Sequence, residues 1–411
     1  MSILRPWEEK DRERPSLQLT SRCTLPIGAL YGGVVALGDS GKSKTALLRI
    51  LAESFLRDGL GFFFMPDSAK DIQNLIEWAY AAGRIDDVVL LGPADRQKRT
   101  FRVLKSDNTT ATIPLWTSQM NVLRPEIAAI HRNEGTAREN IESLAKTIAG
   151  VVERESGFTS GSREVVEKLL SETFLHVYCL TLDLDTQEIQ NHLLGLAKEK
   201  LLGYRETEIV VKALCVEPLR SMIFGDTTVC PLDIRAGKIF ICEPNASRDG
   251  TAGILAGVLI KRMFQRRVQS TQAGTEVVIW GGKRFFFPED DLFQATAPWW
   301  RCITVLSVAT VAELRDALSR EVPNFRGYFL IHSKDRETQA RFADLKIDTL
   351  LSGGGANGFR AEGVYFHPDK HGNKANDYVR QFRFHEESGI TIEHPLTRFK
   401  NAVFAFFFPP K

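Results

Sequence analysis

Residues 30–55 constrain the fold more than any other stretch of this chain. An apolar run rich in Gly and Val, Leu30 to Leu37, ends at Gly38, and Leu47, Leu48, Leu51 and Phe55 then recur at helical spacing. That order reads as a buried strand, a Gly-containing turn and an amphipathic helix. Further strand-like runs follow at Gly61–Met65, stopped by Pro66 and Asp67, and at Val88–Leu91, stopped by Gly92-Pro93, with a helical pattern over Ile72–Ala82 between them. Alternation of strand and helix over short connections predicts an α/β fold, a mostly parallel sheet with helices on both faces.

The turn after the first strand carries chemistry. A phosphate-gripping loop needs a buried strand, backbone N–H groups exposed by glycines, a Lys for the β- and γ-phosphates, and a Ser or Thr for Mg²⁺ at the start of a helix. Two registers compete in GVVALGDSGKSKTALLRIL, Gly33 to Leu51. One takes Gly41-Lys42-Ser43 as its end and leaves Ala36 where the first glycine belongs. The other opens at Gly38 and closes on Lys44-Thr45, with Ser43 standing for a glycine. The second is preferred, because it sets four apolar residues directly before the loop and starts the helix at the Thr. The candidate site is therefore Gly38, Asp39, Ser40, Gly41, Lys42, Ser43, Lys44 and Thr45, with ATP as the cofactor, Lys44 on its phosphates and Thr45 on the metal. Ser43 lacks the backbone freedom that close approach to phosphate demands, so a ligand-free turn is the competing reading.

The 411 residues leave room for more than this unit. From about 120 to 225 the pattern becomes helical, with Ile141, Leu144, Ala145, Ile148 and Val152 on one stripe and Val166, Leu169, Leu170, Phe174 and Val177 on another. Similar stripes cover 186–202 and 206–222. Strand-like runs return at Ile239–Cys242, Val277–Trp280, Ile303–Val308 and Tyr328–Ile331, with helices predicted over 251–267 and 311–320. The organisation reads as an N-terminal extension (1–24), a first α/β part (25–120), an all-helical insertion (121–225), a second α/β part (226–350) and a C-terminal extension (351–411). Charge is nearly balanced at +2 and decides nothing about nucleic acid. No window reaches the roughly 18–20 apolar residues of a membrane span, and the charged N-terminus has no export signal core. Cys23, Cys179, Cys215, Cys230, Cys242 and Cys302 form no Cys-x-x-Cys pair and read as reduced thiols. A soluble, cytoplasmic protein is expected.

Hydrolysis needs a carboxylate for Mg²⁺ at the end of a neighbouring strand, and usually a second to orient water. The strand in TEVVIWGGKRFFF ends instead in Gly282 and Lys283, and Lys283 adds positive charge where the cation belongs. Asp67 can reach the crevice, with a turn cap as its default role. These residues predict little or no ATP hydrolysis and nucleotide binding that depends little on Mg²⁺.

The order of segments resembles the type IV conjugative coupling proteins, within the FtsK/HerA group of hexameric DNA-pumping ATPases. Gly38 to Thr45 is similar to that family's Gly-x-x-Gly-x-Gly-Lys-Thr apart from Ser43. Met65-Pro66-Asp67-Ser68 stands at its Asp-Pro-Lys-Gly, Gly282-Lys283 at its Asp-Glu, and Val308-Ala309 at its Thr-Gln sensor. GRIDDVVLLGPAD (Gly83–Asp95) and NFRGYFLIHSKDRETQARFADL (Asn324–Leu345) fit the family pattern, the latter keeping Asp335, Glu337 and Thr338. The resemblance spans roughly residues 25–365 and implies a RecA-like P-loop core. It also implies a homo-oligomeric, hexameric ring, DNA in its channel, and protein partners in secretion or DNA processing. Apolar strands persist while groups that touch phosphate, metal or water differ, which is the pattern of a catalytically eroded relative. An ATP-driven DNA translocase with its acids supplied elsewhere is the alternative.

Three further groups complete the reading. Lys261, Arg262, Arg266 and Arg267 are expected as a solvated helix end, with a phosphate-contacting patch as the alternative. His367, Asp369 and His371 read as a surface loop. Phe62–Phe64 and Phe285–Phe287 are expected in the core or an interface, and Phe404 with Phe406–Phe408 there or as a docking peptide.

Overall fold

Five short runs, VVAL, FFFM, IFIC, CITVLSV and GYFLI, are almost continuously apolar, as strands covered on both faces must be. In the computed structural model each is a strand of one sheet. The structure describes residues 16–20, 23–39, 42–93, 96–105, 109–122, 136–157, 160–180, 186–200, 204–217, 219–224, 229–271, 273–318, 327–331, 333–342, 360–367 and 378–385. Its strands are β1 (Ser16–Thr20), β2 (Cys23–Pro26), β3 (Val34–Leu37), β4 (Gly61–Met65), β5 (Val88–Leu91), β6 (Lys98–Leu104), β7 (Thr110–Ser118), β8 (Ile239–Cys242), β9 (Val277–Gly282), β10 (Cys302–Val308), β11 (Gly327–Ile331), β12 (Arg360–His367) and β13 (Tyr378–His385). Its helices are α1 (Lys42–Arg57), α2 (Ala69–Ala81), α3 (Ala137–Ser156), α4 (Ser160–Leu180), α5 (Thr186–Lys200), α6 (Tyr204–Cys215), α7 (Leu219–Phe224), α8 (Ala246–Ser270), α9 (Asp290–Thr296), α10 (Val311–Leu318) and α11 (Arg336–Phe342).

β1 and β2 pair with each other, and the other strands form one sheet in the order β13-β12-β11-β3-β10-β9-β4-β8-β5-β7-β6. From β11 to β7 every neighbour is parallel, while β12, β13 and β6 add antiparallel edges. The expected mostly parallel sheet is present, extended by two hairpins that the periodicity did not show. β6 and β7 alternate exposed and less exposed residues, because one face of this ribbon is open to solvent.

Alternation along the strands divides the core. Val34, Ala36, Phe62 and Phe64 face α1 and α2 through Leu47, Leu51, Phe55, Ile72, Leu75 and Ile76. Val35, Leu37, Phe63 and Met65 face the other way, toward Ile260 and Phe264 of α8, and this cluster runs on into Ile148, Val152, Leu169 and Phe174. The helical insertion thus shares a continuous apolar core with one face of the sheet. The stripe expected over 206–222 is two helices, α6 ending at Cys215 and α7 beginning at Leu219. Phe62–Phe64 and Phe285–Phe287 are all buried, with Phe63 stacked on Phe264 at 4.6 Å between centroids, so they are core residues. Phe404 and Phe406–Phe408 lie outside the described residues, as do Asp369 and His371. Among the described residues no helix is long and apolar enough to cross a membrane.

Candidate nucleotide site

β3 delivers the chain to Gly38, whose φ of 151° is open to glycine and costly for a residue with a Cβ. Its amide donates to the Val308 carbonyl of β10 at 3.2 Å, tying the turn to the neighbouring strand. Asp39 accepts a hydrogen bond from the Lys334 amide at 3.0 Å. Ser40 and Gly41 lie outside the described residues, and Lys42 and Ser43 are described as helical backbone only. α1 begins at Lys42, three residues before the expected start at Thr45. A first helical turn leaves its N–H groups without intrahelical partners, so starting early keeps them available while carrying Lys44 and Thr45 on a rigid element.

Lys44 is only 9% exposed, and its ammonium donates to the carbonyls of Gly38 at 3.2 Å and Val308 at 2.7 Å. Burial lowers its pKa from 10.5 to about 8, against the opposing pull of Glu313, Asp39 and Asp67. Lys44, Thr45, Asp67, Lys283, Arg284 and Glu313 line a cavity of about 420 Å³ at the carboxyl ends of the parallel strands. That volume is in the range of small-molecule sites, and the position is where open α/β sheets bind ligands.

β9 ends beside β10 and β4, with Gly282 opposite Ser307 and Gly281 opposite Met65. This brings Lys283, directly after Gly282, to the lining of the cavity. The Lys283 ammonium is held by Glu313 Oε1 at 2.7 Å, and Glu313 Oε2 accepts from the Ala309 amide at 2.7 Å. Burial opposes ionisation of Glu313, but the hydrogen bonds from Lys283 and Ala309 outweigh it and hold the carboxyl below its usual range. Both of its oxygens are engaged.

Asp67 is not the turn cap expected. Asp71 accepts from the Ser68 amide and hydroxyl, each at 2.8 Å, and so closes the start of α2. The Asp67 carboxylate instead lies over Gly282: a Cβ built on Gly282 would sit 2.8 Å from Asp67 Cγ and 2.9 Å from Oδ1. It is open to solvent at the cleft mouth yet hemmed in by protein, and this loss of hydration pushes its pKa up to about 6. Asp71 adds to the rise, while Arg284, Lys44 and Lys283 oppose it. Sequence reasoning placed Asp67 near the crevice but had no signal for its contact with Gly282.

The cationic cluster is neither a solvated face nor a phosphate patch at its first two members. Lys261 is buried against Asp290 Oδ2 at 2.5 Å, and Arg262 donates to Thr147 Oγ1 at 2.9 Å and the Asn140 carbonyl at 3.1 Å. Both join α8 to neighbouring elements. Arg266 and Arg267 are half-buried. Asp335 accepts from the Thr338 amide at 2.8 Å and hydroxyl at 2.6 Å, and Thr338 Oγ1 accepts from the Val311 amide at 3.0 Å, so these retained residues position α11 against α10.

A cavity of oxygen donors and cations at a strand–turn–helix, with one strand between β3 and the strand ending in Gly282, defines a RecA-like P-loop core bearing an all-helical insertion. The fold is that of the bacterial conjugative coupling protein TrwB. TrwBdeltaN70 in its unbound form matches with a TM-score of 0.55 and 13% identity, over 92% of this chain and 83% of that one. TrwB in complex with ADP and Mg²⁺ matches with a TM-score of 0.55 and 13% identity, over 93% of this chain and 84% of that one. VirB4 of Thermoanaerobacter pseudethanolicus has a TM-score of 0.49 and 11% identity, over 76% of this chain and 80% of that one. No protein-family profile matches the sequence. No curated protein matches it either.

The donors fit a nucleotide. Lys44 and the first turn of α1 suit polyphosphate, and the Thr45 hydroxyl with the Asp67 carboxylate supplies hard oxygen ligands of the kind Mg²⁺ takes.

Proposed function

We propose that this chain is a coupling-protein-like P-loop protein of conjugation or type IV secretion that binds ATP in the β3–α1 cleft and hydrolyses it little or not at all. The observation that carries the reading is the end of β9. Position 283 is a lysine locked to Glu313, so no residue there orients an attacking water. Glu313, the acid beside it, has both oxygens occupied by hydrogen bonds. Solved complexes of TrwB with ADP and Mg²⁺ and with a GTP analogue support nucleotide as the ligand class.

In this reading Lys44 releases the carbonyls of Gly38 and Val308 to meet the β- and γ-phosphates. Gly38 to Thr45 surround them, and Thr45 faces the metal. Bound Mg²⁺ would screen phosphate charge. The protein works in the cytoplasm through binding, as a homo-oligomeric ring of hexameric type that contacts DNA and secretion or DNA-processing proteins. Domain limits at residues 24, 120, 225 and 350 belong to the same proposal.

The rival is an ATP-driven DNA translocase, and the carboxylate of Asp67 in the cleft favours it in part. Among the described residues the other acid lining the cavity, Glu313, has both oxygens engaged and does not orient water. Measuring ATP turnover with and without single- and double-stranded DNA separates the two. Trace turnover is expected throughout; sustained, DNA-stimulated turnover abolished by Lys44→Ala establishes the translocase instead. Native mass measurement with and without ATP tests the ring.

A further inference from the structure

The volume that a side chain at position 282 would occupy is filled by the carboxylate of Asp67, which comes from the adjacent strand. We propose that Asp67 is the acid that holds the divalent cation of a bound nucleotide opposite Thr45, reaching in from the end of β4 where β9 offers only Gly282. The proposal rests on the nucleotide reading given above.

The geometry supports it in three ways. First, Thr45 and Asp67 line one cavity, from α1 and β4 respectively, so a hydroxyl and a carboxylate face a common space beside Lys44. Second, among the described residues no hydrogen bond or ion pair uses the Asp67 carboxylate. Asp71 takes the capping role, and the hydrogen bond that Asp67 makes to Ser247 is through its main-chain carbonyl, at 2.9 Å. Third, the cations around it are engaged elsewhere: Lys44 with main-chain carbonyls, Lys283 with Glu313, and Arg284 with Glu155 at 2.6 Å. An acid surrounded by cations yet ion-paired to none of them among the described residues has oxygens open to a metal. Hard oxygen donors and phosphate oxygens are the ligand set of Mg²⁺.

The inference also separates two functions that an acidic pair at a strand end would perform together. Asp67 provides for the cation, and Lys283 leaves the attacking water without a base. Binding can then depend on Mg²⁺ without turnover, which reverses the weak Mg²⁺ dependence expected from Gly282 and Lys283 alone.

The test is calorimetric titration of ADP and of a non-hydrolysable ATP analogue, each with Mg²⁺ and with EDTA. The proteins are wild type, Asp67→Asn, Gly282→Ala and the exchange Asp67→Gly/Gly282→Asp. Wild-type affinity is expected to fall about tenfold or more when Mg²⁺ is removed. Asp67→Asn, an isosteric change, should bind equally with and without the metal while melting like wild type. Gly282→Ala should lose the dependence as well, because its Cβ displaces the carboxylate, and the exchange variant should regain it. The electron paramagnetic resonance spectrum of Mn²⁺ gives a second readout, with Mn²⁺–ADP retained by wild type and lost in Asp67→Asn. Mg²⁺ dependence that persists in Asp67→Asn, or is missing from wild type, overturns the assignment of Asp67 and leaves nucleotide binding intact. Failure of wild type to bind nucleotide in either buffer overturns the site reading, and this inference with it.

Discussion

Replacing Lys44 by Met removes a charge, keeps most of the aliphatic stem, and is predicted to stabilise the unliganded protein. Enclosure lowers the Lys44 pKa from 10.5 to about 8, so the folded state holds this proton less tightly than the unfolded chain. At about 1.4 kcal/mol for each tenfold change in proton affinity, the charged side chain costs up to about 3 kcal/mol at pH 7. Its hydrogen bonds return roughly 1 kcal/mol each. Val308 O keeps the Gly38 amide as a donor after the substitution, so less than the sum is lost. A net gain of about 1–2 kcal/mol is expected, read as a higher urea midpoint at unchanged slope. The pH dependence supplies a second signature. Because the folded-state pKa is depressed, the cost is complete below pH 8 and fades as pH climbs toward 10.5. The advantage of the Met variant should therefore shrink by about 1 kcal/mol between pH 7 and pH 9. A variant no more stable than wild type at pH 7, or an advantage that holds constant to pH 9, would refute the reasoning.

Lys261→Ala leaves Asp290 buried without its cation and should cost about 3–5 kcal/mol in urea unfolding. Lys261→Met/Asp290→Asn should cost less than the single change, since no unpaired charge remains. Asp335→Ala removes the acceptor for the Thr338 amide and hydroxyl at the start of α11 and should lower stability by about 1 kcal/mol in thermal melts. Nucleotide affinity measured by calorimetry should be unchanged in that variant, because Asp335 does not line the cavity.

The central strands, the helix after Gly38 and the helical insertion were legible in the sequence because each is written in local periodicity. VVAL and FFFM are apolar throughout, and Ile141, Leu144 and Ile148 recur at helical spacing, so a window of a dozen residues suffices. The β6–β7 and β12–β13 hairpins were not legible. They lie at sheet edges, and in β6 and β7 polar residues such as Arg99 and Thr117 fall among the less exposed positions, so no clean apolar alternation marks them. The cluster at Lys261 and Arg262 reads as solvated because only the packed structure sets Asp290, Thr147 and Asn140 against it. At the site, Gly282 and Asp67 read separately as a lost acid and a spare one. Their contact joins residues 215 positions apart, and no local pattern encodes such a relation.

That crowding also constrains which neighbouring sequences are accessible. An aspartate added at 282 alone would collide with Asp67 and set two like charges side by side. Moving the acid from one strand to the other therefore requires a chain that has given up one carboxylate before gaining the second. On the role proposed for Asp67, single-step variants at either position would cross a valley of weakened metal affinity, so libraries aimed at converting this cleft into a motor should mutate residues 67 and 282 jointly.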